Sequence, residues 1–185
     1  MNDESAINRN IWVISDTHFG HANILNFTDS NTGALVRPGF SSAEEMDEHM
    51  VDRWNSTVKD EDIVYHLGDV YFDNGHTVLP RLKGRKRLIL GNHDNAKSSH
   101  LQNHFQKISM WRMFPEFGLL LTHVPVHPSS LRVYARESDV DPVHKTFLNL
   151  HGHIHQNLSP DGPYRNMSVE AINYTPVNID DLRIK

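Results

Sequence analysis

The sequence predicts an α/β fold in one domain spanning residues 1–185, with its chemistry collected along one rim. Two observations carry that expectation. Five short apolar runs each lead into polar groups: Ile11–Ile14 before Asp16-Thr17-His18, Asp62–Leu67 before Gly68-Asp69, Leu88–Leu90 before Gly91-Asn92-His93-Asp94, Leu119–Leu121 before Thr122-His123, and Phe147–Leu150 before His151-Gly152-His153-Ile154-His155. Short apolar runs bounded by Gly or turn residues read as buried strands. Open α/β sheets gather ligands at the carboxyl ends of their strands, where all of these polar groups fall. The rim then carries about seven metal-capable side chains, too many for one zinc and about right for two cations sharing a bridge. A mixture of His, Asp and Asn suits Mn, Fe or Zn better than Ca or Mg.

In chain order, residues 1–10 read as a frayed lead-in and 11–15 as the first strand. His21 to Phe27 reads as a helical turn with Ile24, Leu25 and Phe27 inward. Residues 28–40 form a loop over the cleft, in which Arg37 is either a phosphate contact or a solvated loop arginine. Ser42 and Glu45 have capping-box spacing, and Met46, Met50 and Trp54 form a stripe for packing on a sheet. Residues 62–67 are the second strand and 76–83 a weak helix that Pro80 interrupts. The run Arg81, Lys83, Arg85, Lys86, Arg87 reads as a charged helix end and turn before a strand, at the edge away from the metals. Asn95 to Gln106 reads as a helix, and Ile108–Phe114 with Phe117–Leu121 as an antiparallel pair turning at Pro115-Glu116. The irregular stretch 125–141 is a candidate specificity loop, with His127, Arg132 and Arg136 as its contacts. Tyr164 to Ile172 and Tyr174 to Val177 return to strands, and Asp180-Asp181-Leu182 begins a final turn.

There are no cysteines, which excludes disulfides, thiolate zinc sites and cysteine nucleophiles. The polar start Met1-Asn2-Asp3-Glu4-Ser5 lacks the features of a signal peptide, and no stretch approaches the ~20 apolar residues of a membrane span. A cytoplasmic protein without a membrane partner is expected. A formal charge of −5 argues against gripping long duplex nucleic acid through its phosphates. It is compatible with a small phosphate ester or nucleotide, because bound cations make a cleft locally positive.

The ordered set Asp16-x-His18, Gly68-Asp69, Gly91-Asn92-His93-Asp94, His123, Gly152-His153-x-His155 resembles the calcineurin-like metallophosphoesterase superfamily, particularly its small single-domain bacterial and phage-type members. The resemblance runs from about Ile11 to Val177. It implies a four-layer α-β-β-α sandwich of two mixed sheets. It implies two divalent metal ions, Mn first, with Fe, Zn or Ni as alternatives. Asp16, His18, Asp69 and His155 would hold one, and Asp69, Asn92, His123 and His153 the other, with Asp69 bridging. It further implies phosphate-ester hydrolysis by a metal-bridging hydroxide, with His93 as general acid and Asp94 orienting it. Asn92, His93, His21 and Arg37 are the expected substrate contacts. His21 and His151 also have an alternative role as outer hydrogen-bond partners of ligating groups. The expected substrate is a small phosphodiester or nucleotide. The alternatives are a phosphomonoesterase or phosphoprotein phosphatase, or a non-catalytic scaffold on the same fold. Family members often carry Asn-x-Gly-x-Asp after the last motif. Here it is Asn166-Met167-Ser168-Val169-Glu170, so Ser168 and Glu170 depart from the pattern.

Overall fold

The structure, a computed structural model, describes residues 10–132 and 146–183. Two mixed sheets face each other. In the first, β1 (Ile11–Ile14), β2 (Ile63–His66), β3 (Arg85–Ile89) and β4 (Lys107–Ser109) run parallel in the order β4-β3-β2-β1. The second contains β5 (Trp111–Phe114), β6 (Leu119–Thr122), β7 (Leu148–His151) and β8 (Tyr164–Asn166), with β5 antiparallel and the others parallel. The short β9 (Val177–Asn178) pairs antiparallel with β1 and closes the first sheet.

Strand alternation assigns the layers. On β2, Tyr65 meets Phe114 of the second sheet at 5.4 Å between ring centroids. Its neighbour His66 faces the other way, 6.5 Å from Trp54 of helix α1 (Ala43–Thr57). On β6, Leu119 and Leu121 enter the core shared by both sheets, while Leu120 packs outward with Leu131 and Phe147. The outer layer on the first sheet is therefore helical. The described layer over the second is a 3₁₀ turn, Pro128–Leu131, rather than an α-helix.

Helix α1 starts where the capping pattern places it. The Ser42 hydroxyl accepts the Glu45 N–H, and Met46, Met50 and Trp54 are buried. Glu45 reaches back one residue further than expected, to the N–H and hydroxyl of Ser41.

Several local expectations are corrected. The basic run is not a solvated turn: Arg85, Lys86 and Arg87 belong to β3. Lys86 is buried with its ammonium on the Leu82 carbonyl, and Arg87 donates to the Tyr65 hydroxyl. The helix after Asn95 shortens to α2 (Ser99–His104). The strand expected over 108–114 is two strands in different sheets, because the chain crosses at Met110. The segment 76–83 is a 3₁₀ helix over Asp73–Arg81, a tighter form that holds Pro80. Phe27 is exposed rather than inward. Tyr164 to Ile172 is a strand only as far as Asn166. The expected lead-in through residue 9, and Arg136 in the expected specificity loop, lie outside the described residues. Arg132 is exposed, and His127 instead caps the turn at Ser129.

Asp47 is a buried carboxylate on α1 that the sequence did not single out. Both its oxygens accept the Gly20 N–H, at 3.1 and 2.9 Å. Burial pushes its carboxyl up to about 6 from the ordinary 3.8, so the fold favours the protonated form. Its contribution to stability is full below the ordinary value and is lost as pH rises through about 6. Asp47→Asn retains an acceptor and never ionises. Urea midpoints of variant and wild type are expected to agree near pH ~4 and to diverge by pH ~7.5, with the variant the more stable.

Candidate metal centre

The strand ends deliver the ligands through an unusual backbone. Asp16, His18, Asp69, His153 and His155 all have positive φ, between 49° and 72°. This left-handed conformation is unfavourable for residues with a Cβ, and strain of this kind concentrates at functional sites. Asp-x-His and His-x-His therefore do not present their ligands by alternation along an extended strand. Each pair sits in a tight turn beyond its strand. The turns are tied together: Asp16 N–H donates to the Gly68 carbonyl and His18 N–H to the Asp69 carbonyl. Loops approach so closely that a Cβ on Gly91 would overlap Asp69 Oδ1, and one on Gly152 would overlap Ser15 Oγ and Asp16 Oδ2.

Each carboxylate has one oxygen occupied by the protein. Asp16 Oδ2 accepts the His153 N–H at 2.9 Å and the Ser168 hydroxyl at 3.0 Å. Asp69 Oδ1 accepts the His93 N–H at 2.9 Å. The remaining oxygens face the site. Asp69 Oδ2 lies 3.7 Å from His18 Nε2 and 3.4 Å from His123 Nε2, the position of a shared ligand. Histidine orientation follows the same division of labour. His123 donates its Nδ1–H to the Leu67 carbonyl and His155 donates its Nδ1–H to Glu170, which leaves both Nε2 atoms for the site.

Two groups of ligand atoms result: Asp16 with His18 and His155, and Asp69 with His123 and His153. The two residues of the His-x-His pair fall in different groups, His155 with Asp16 and His153 with Asp69. Asn92 joins the second group, its amide oxygen 2.9 Å from His123 Nε2. Asp16 Oδ1 and both ring nitrogens of His18 are buried without a hydrogen-bond partner. Stranded polar atoms of this kind cost about 1–3 kcal/mol each, and a cation between Asp16 Oδ1 and His18 Nε2, 3.8 Å apart, would satisfy both. The donor sets therefore fit one cation each.

The electrostatics favour the cation-binding forms of Asp16, Asp69 and His18, whereas for His123 and His155 burial lowers the ring but Asp69 beside the first and Glu170 beside the second outweigh it and hold both above the ordinary value. Burial raises the Asp16 and Asp69 carboxyls, but His18 beside the first and His123 beside the second outweigh it and hold both below their ordinary range. Burial pushes His18 down, toward the neutral ring a metal requires.

Around the ligands the sequence expectations divide. His93 stands at the rim with its ring exposed, 5.9 Å from the His18 ring and outside both ligand groups. His21 stacks on Phe72 at 4.2 Å and on His18 at 5.6 Å, and those two rings also meet each other at 5.2 Å. Asp94 does not orient His93, nor does it cap a helix. Its carboxylate accepts the N–H groups of Asp69, Val70 and Gly91, and so fastens the second ligand turn to the third. Arg37 is neither a phosphate contact nor a solvated loop residue. It is 1 % exposed, and its guanidinium donates to the Asp16 and Thr17 carbonyls and to Glu170. His151 bonds the Gly152 carbonyl and Ser159 rather than a ligand side chain.

The family model for calcineurin-like phosphoesterases matches residues 9–181. The chain belongs to that family. A protein of Methanocaldococcus jannaschii, MJ1445, is 33 % identical over 184 residues, covering 93 % of this chain and 88 % of that one. The Gene 66 protein of Mycobacterium phage D29 is 35 % identical over 91 residues, covering 46 % of this chain and 40 % of that protein. Among solved structures, AQ665 of Aquifex aeolicus superposes with a TM-score of 0.68 at 26 % identity, covering 95 % of this chain and 98 % of that one.

Within this phosphoesterase fold, the two departures from the family pattern are structural parts of the centre. Ser168 donates to a ligating carboxylate, and Glu170 joins His155 to Arg37 through a single oxygen, Oε1, at 3.0 and 2.7 Å. Arg37 and His155 hold Glu170 ionised against its burial. The sequence also passed over His66. It accepts the Gly68 N–H at Nδ1, so its proton sits on Nε2 and goes to the Thr17 hydroxyl, which donates to the Val70 carbonyl. Burial pushes His66 down to about 3 and keeps it neutral.

Glu170→Gln removes the charge that pairs both His155 and the buried Arg37. Metal affinity, read by titration against a chelator, is expected to fall about 10–100-fold. The metal-free protein is expected to lose about 3–5 kcal/mol in urea unfolding, since Arg37 is left uncompensated.

Proposed function

We propose that this chain is a two-metal phosphoesterase acting on a small phosphodiester or nucleotide, with His93 as its general acid. The observation that carries this is the pair of ligand groups meeting at Asp69 Oδ2, with His93 held beside them and outside both. Asp16, His18, Asp69 and His155 would hold one cation, and Asp69, Asn92, His123 and His153 the other. Mn is the expected metal, with Fe, Zn or Ni as alternatives. When bound, the pair supplies positive charge at phosphorus and a water acidic enough to act as nucleophile near neutral pH.

The chain's own residues then do three things. Asp69 Oδ1 takes the His93 N–H, so the residue that protonates the leaving oxygen is tethered to the bridging carboxylate. The exposed Asn92 amide stands beside His123, where it can meet an equatorial oxygen. His21, stacked on His18, flanks the same opening as a further contact. The acidic surface supports a small substrate over a long duplex. The alternatives are a phosphomonoesterase or phosphoprotein phosphatase, which a matched pair of aryl mono- and diesters separates. A non-catalytic scaffold would bind metal and turn over neither. Among the described residues no helix is long and apolar enough to cross a membrane.

His93→Ala is expected to leave the metal content of the Mn-loaded protein unchanged. It is expected to lower turnover of an alkyl diester about 10²–10⁴-fold, and of a nitrophenyl ester much less, because a good leaving group needs no proton. Equal turnover of the alkyl ester by variant and wild type would remove His93 from the mechanism.

A further inference from the structure

A cavity of about 570 Å³ opens beside the second ligand group and is lined by Asn92 and His123 of that group and by Gly91. That volume lies within the ~300–1,000 Å³ of pockets that take drug-sized molecules. Its floor is a tile of the second sheet. Trp111 and Met113 lie on one face of β5, directly opposite Thr122 and Leu120 of β6. Asn149 of β7 fixes the tile by donating to the Leu120 carbonyl and the Thr122 hydroxyl, and its Oδ1 accepts the Val126 N–H. Leu90, Met110, Val124 and Val126 complete the apolar wall.

Three observations say what fits there. No Asp, Glu, Lys or Arg is among the described lining residues, so the cavity adds no charged side chain to those of the ligand groups. Of the six large apolar side chains exposed among the described residues, three, Met110, Trp111 and Val124, line this cavity. That clustering marks a binding surface rather than scattered exposure. Trp111 is 58 % exposed, and it is accompanied by two thioethers, a combination that favours a flat aromatic ring.

We propose that this cavity seats the nucleobase of a nucleotide ester whose phosphate lies at the metal centre, with Trp111 as the stacking face. The inference rests on the phosphoesterase function proposed above and names its substrate class. Trp111 acts as a specificity residue, since it touches the base and not the reacting atoms.

The test uses two diesters with the same leaving group, 4-nitrophenyl thymidine 5′-phosphate and methyl 4-nitrophenyl phosphate, on Mn-loaded protein. Trp111→Ala is expected to lower kcat/KM for the thymidine ester about tenfold, through KM, the order that base stacking on an aromatic ring supplies. The methyl ester is expected to change less than about twofold. Equal losses on both esters, or none on either, overturn the proposal while leaving the phosphoesterase function standing. Calorimetric binding of AMP and methyl phosphate to the same proteins gives a reading independent of turnover. Tighter binding of AMP that disappears in Trp111→Ala supports the subsite even if neither ester is hydrolysed, and that combination would sink the phosphoesterase function alone. Equal affinity for AMP and methyl phosphate in the wild type overturns the subsite. So does a change in oligomeric state on Trp111→Ala, measured by light scattering, which would make the surface an interface between copies of the chain.

Discussion

Asp69 gives one oxygen to the His93 N–H and turns the other toward both His18 and His123. Two halves of the molecule meet at that second oxygen. One side comes from the first sheet, through the turns after β1, β2 and β3. The other comes from the second sheet, through the turns after β6 and β7. The requirement that these turns gather two groups of donor atoms about one carboxylate constrains everything around it. It demands left-handed backbone at five ligands, glycines where loops nearly touch, and a buried outer shell to hold the strained turns.

That outer shell is as much a part of the centre as the ligands. Arg37 pins the carbonyls of the first turn, Asp94 fastens the second to the third, and Glu170 ties His155 back to Arg37. His66, Thr17 and Ser168 complete hydrogen bonds that a buried polar cluster cannot leave open. These residues do not touch a substrate. They fix which nitrogen of His155 and which oxygen of Asp16 face the centre, and hold the ligand turns in place before a cation arrives. The same logic extends to the neighbouring cavity, where Asn149 braces the tile that carries Trp111.

The residues that gather at the candidate centre, and the strands that lead into them, were legible in the chain. Apolar runs ending in Gly, Asp and His announce strand ends, and buried strands followed by polar turns have few other uses. The stripe of Met46, Met50 and Trp54 announced its helix in the same way. Elsewhere the local signal was right in kind but wrong in role. Arg37 sits among loop residues and reads as a surface cation, yet the fold buries it, because Glu170, 133 positions away, offers a carboxylate that no local window contains. Asp94 adjoins His93 in sequence, yet its carboxylate turns to three backbone amides that compete more effectively than a neighbouring ring.

Sequence alone determined that this protein is α/β, that its polar groups end strands, and that they suit a pair of cations, because hydrophobic periodicity and donor chemistry are local properties. Only the tertiary structure decided that the ligand pairs sit in left-handed turns and not on extended strands. It also decided that Ser168 and Glu170 serve the metal centre, that the strand through Met110 divides between two sheets, and that Trp111 opens beside the ligands. Those outcomes depend on which partners arrive across the core. Hydrogen-bond satisfaction and burial are settled between distant segments, and a residue's own neighbours in the chain carry little information about them.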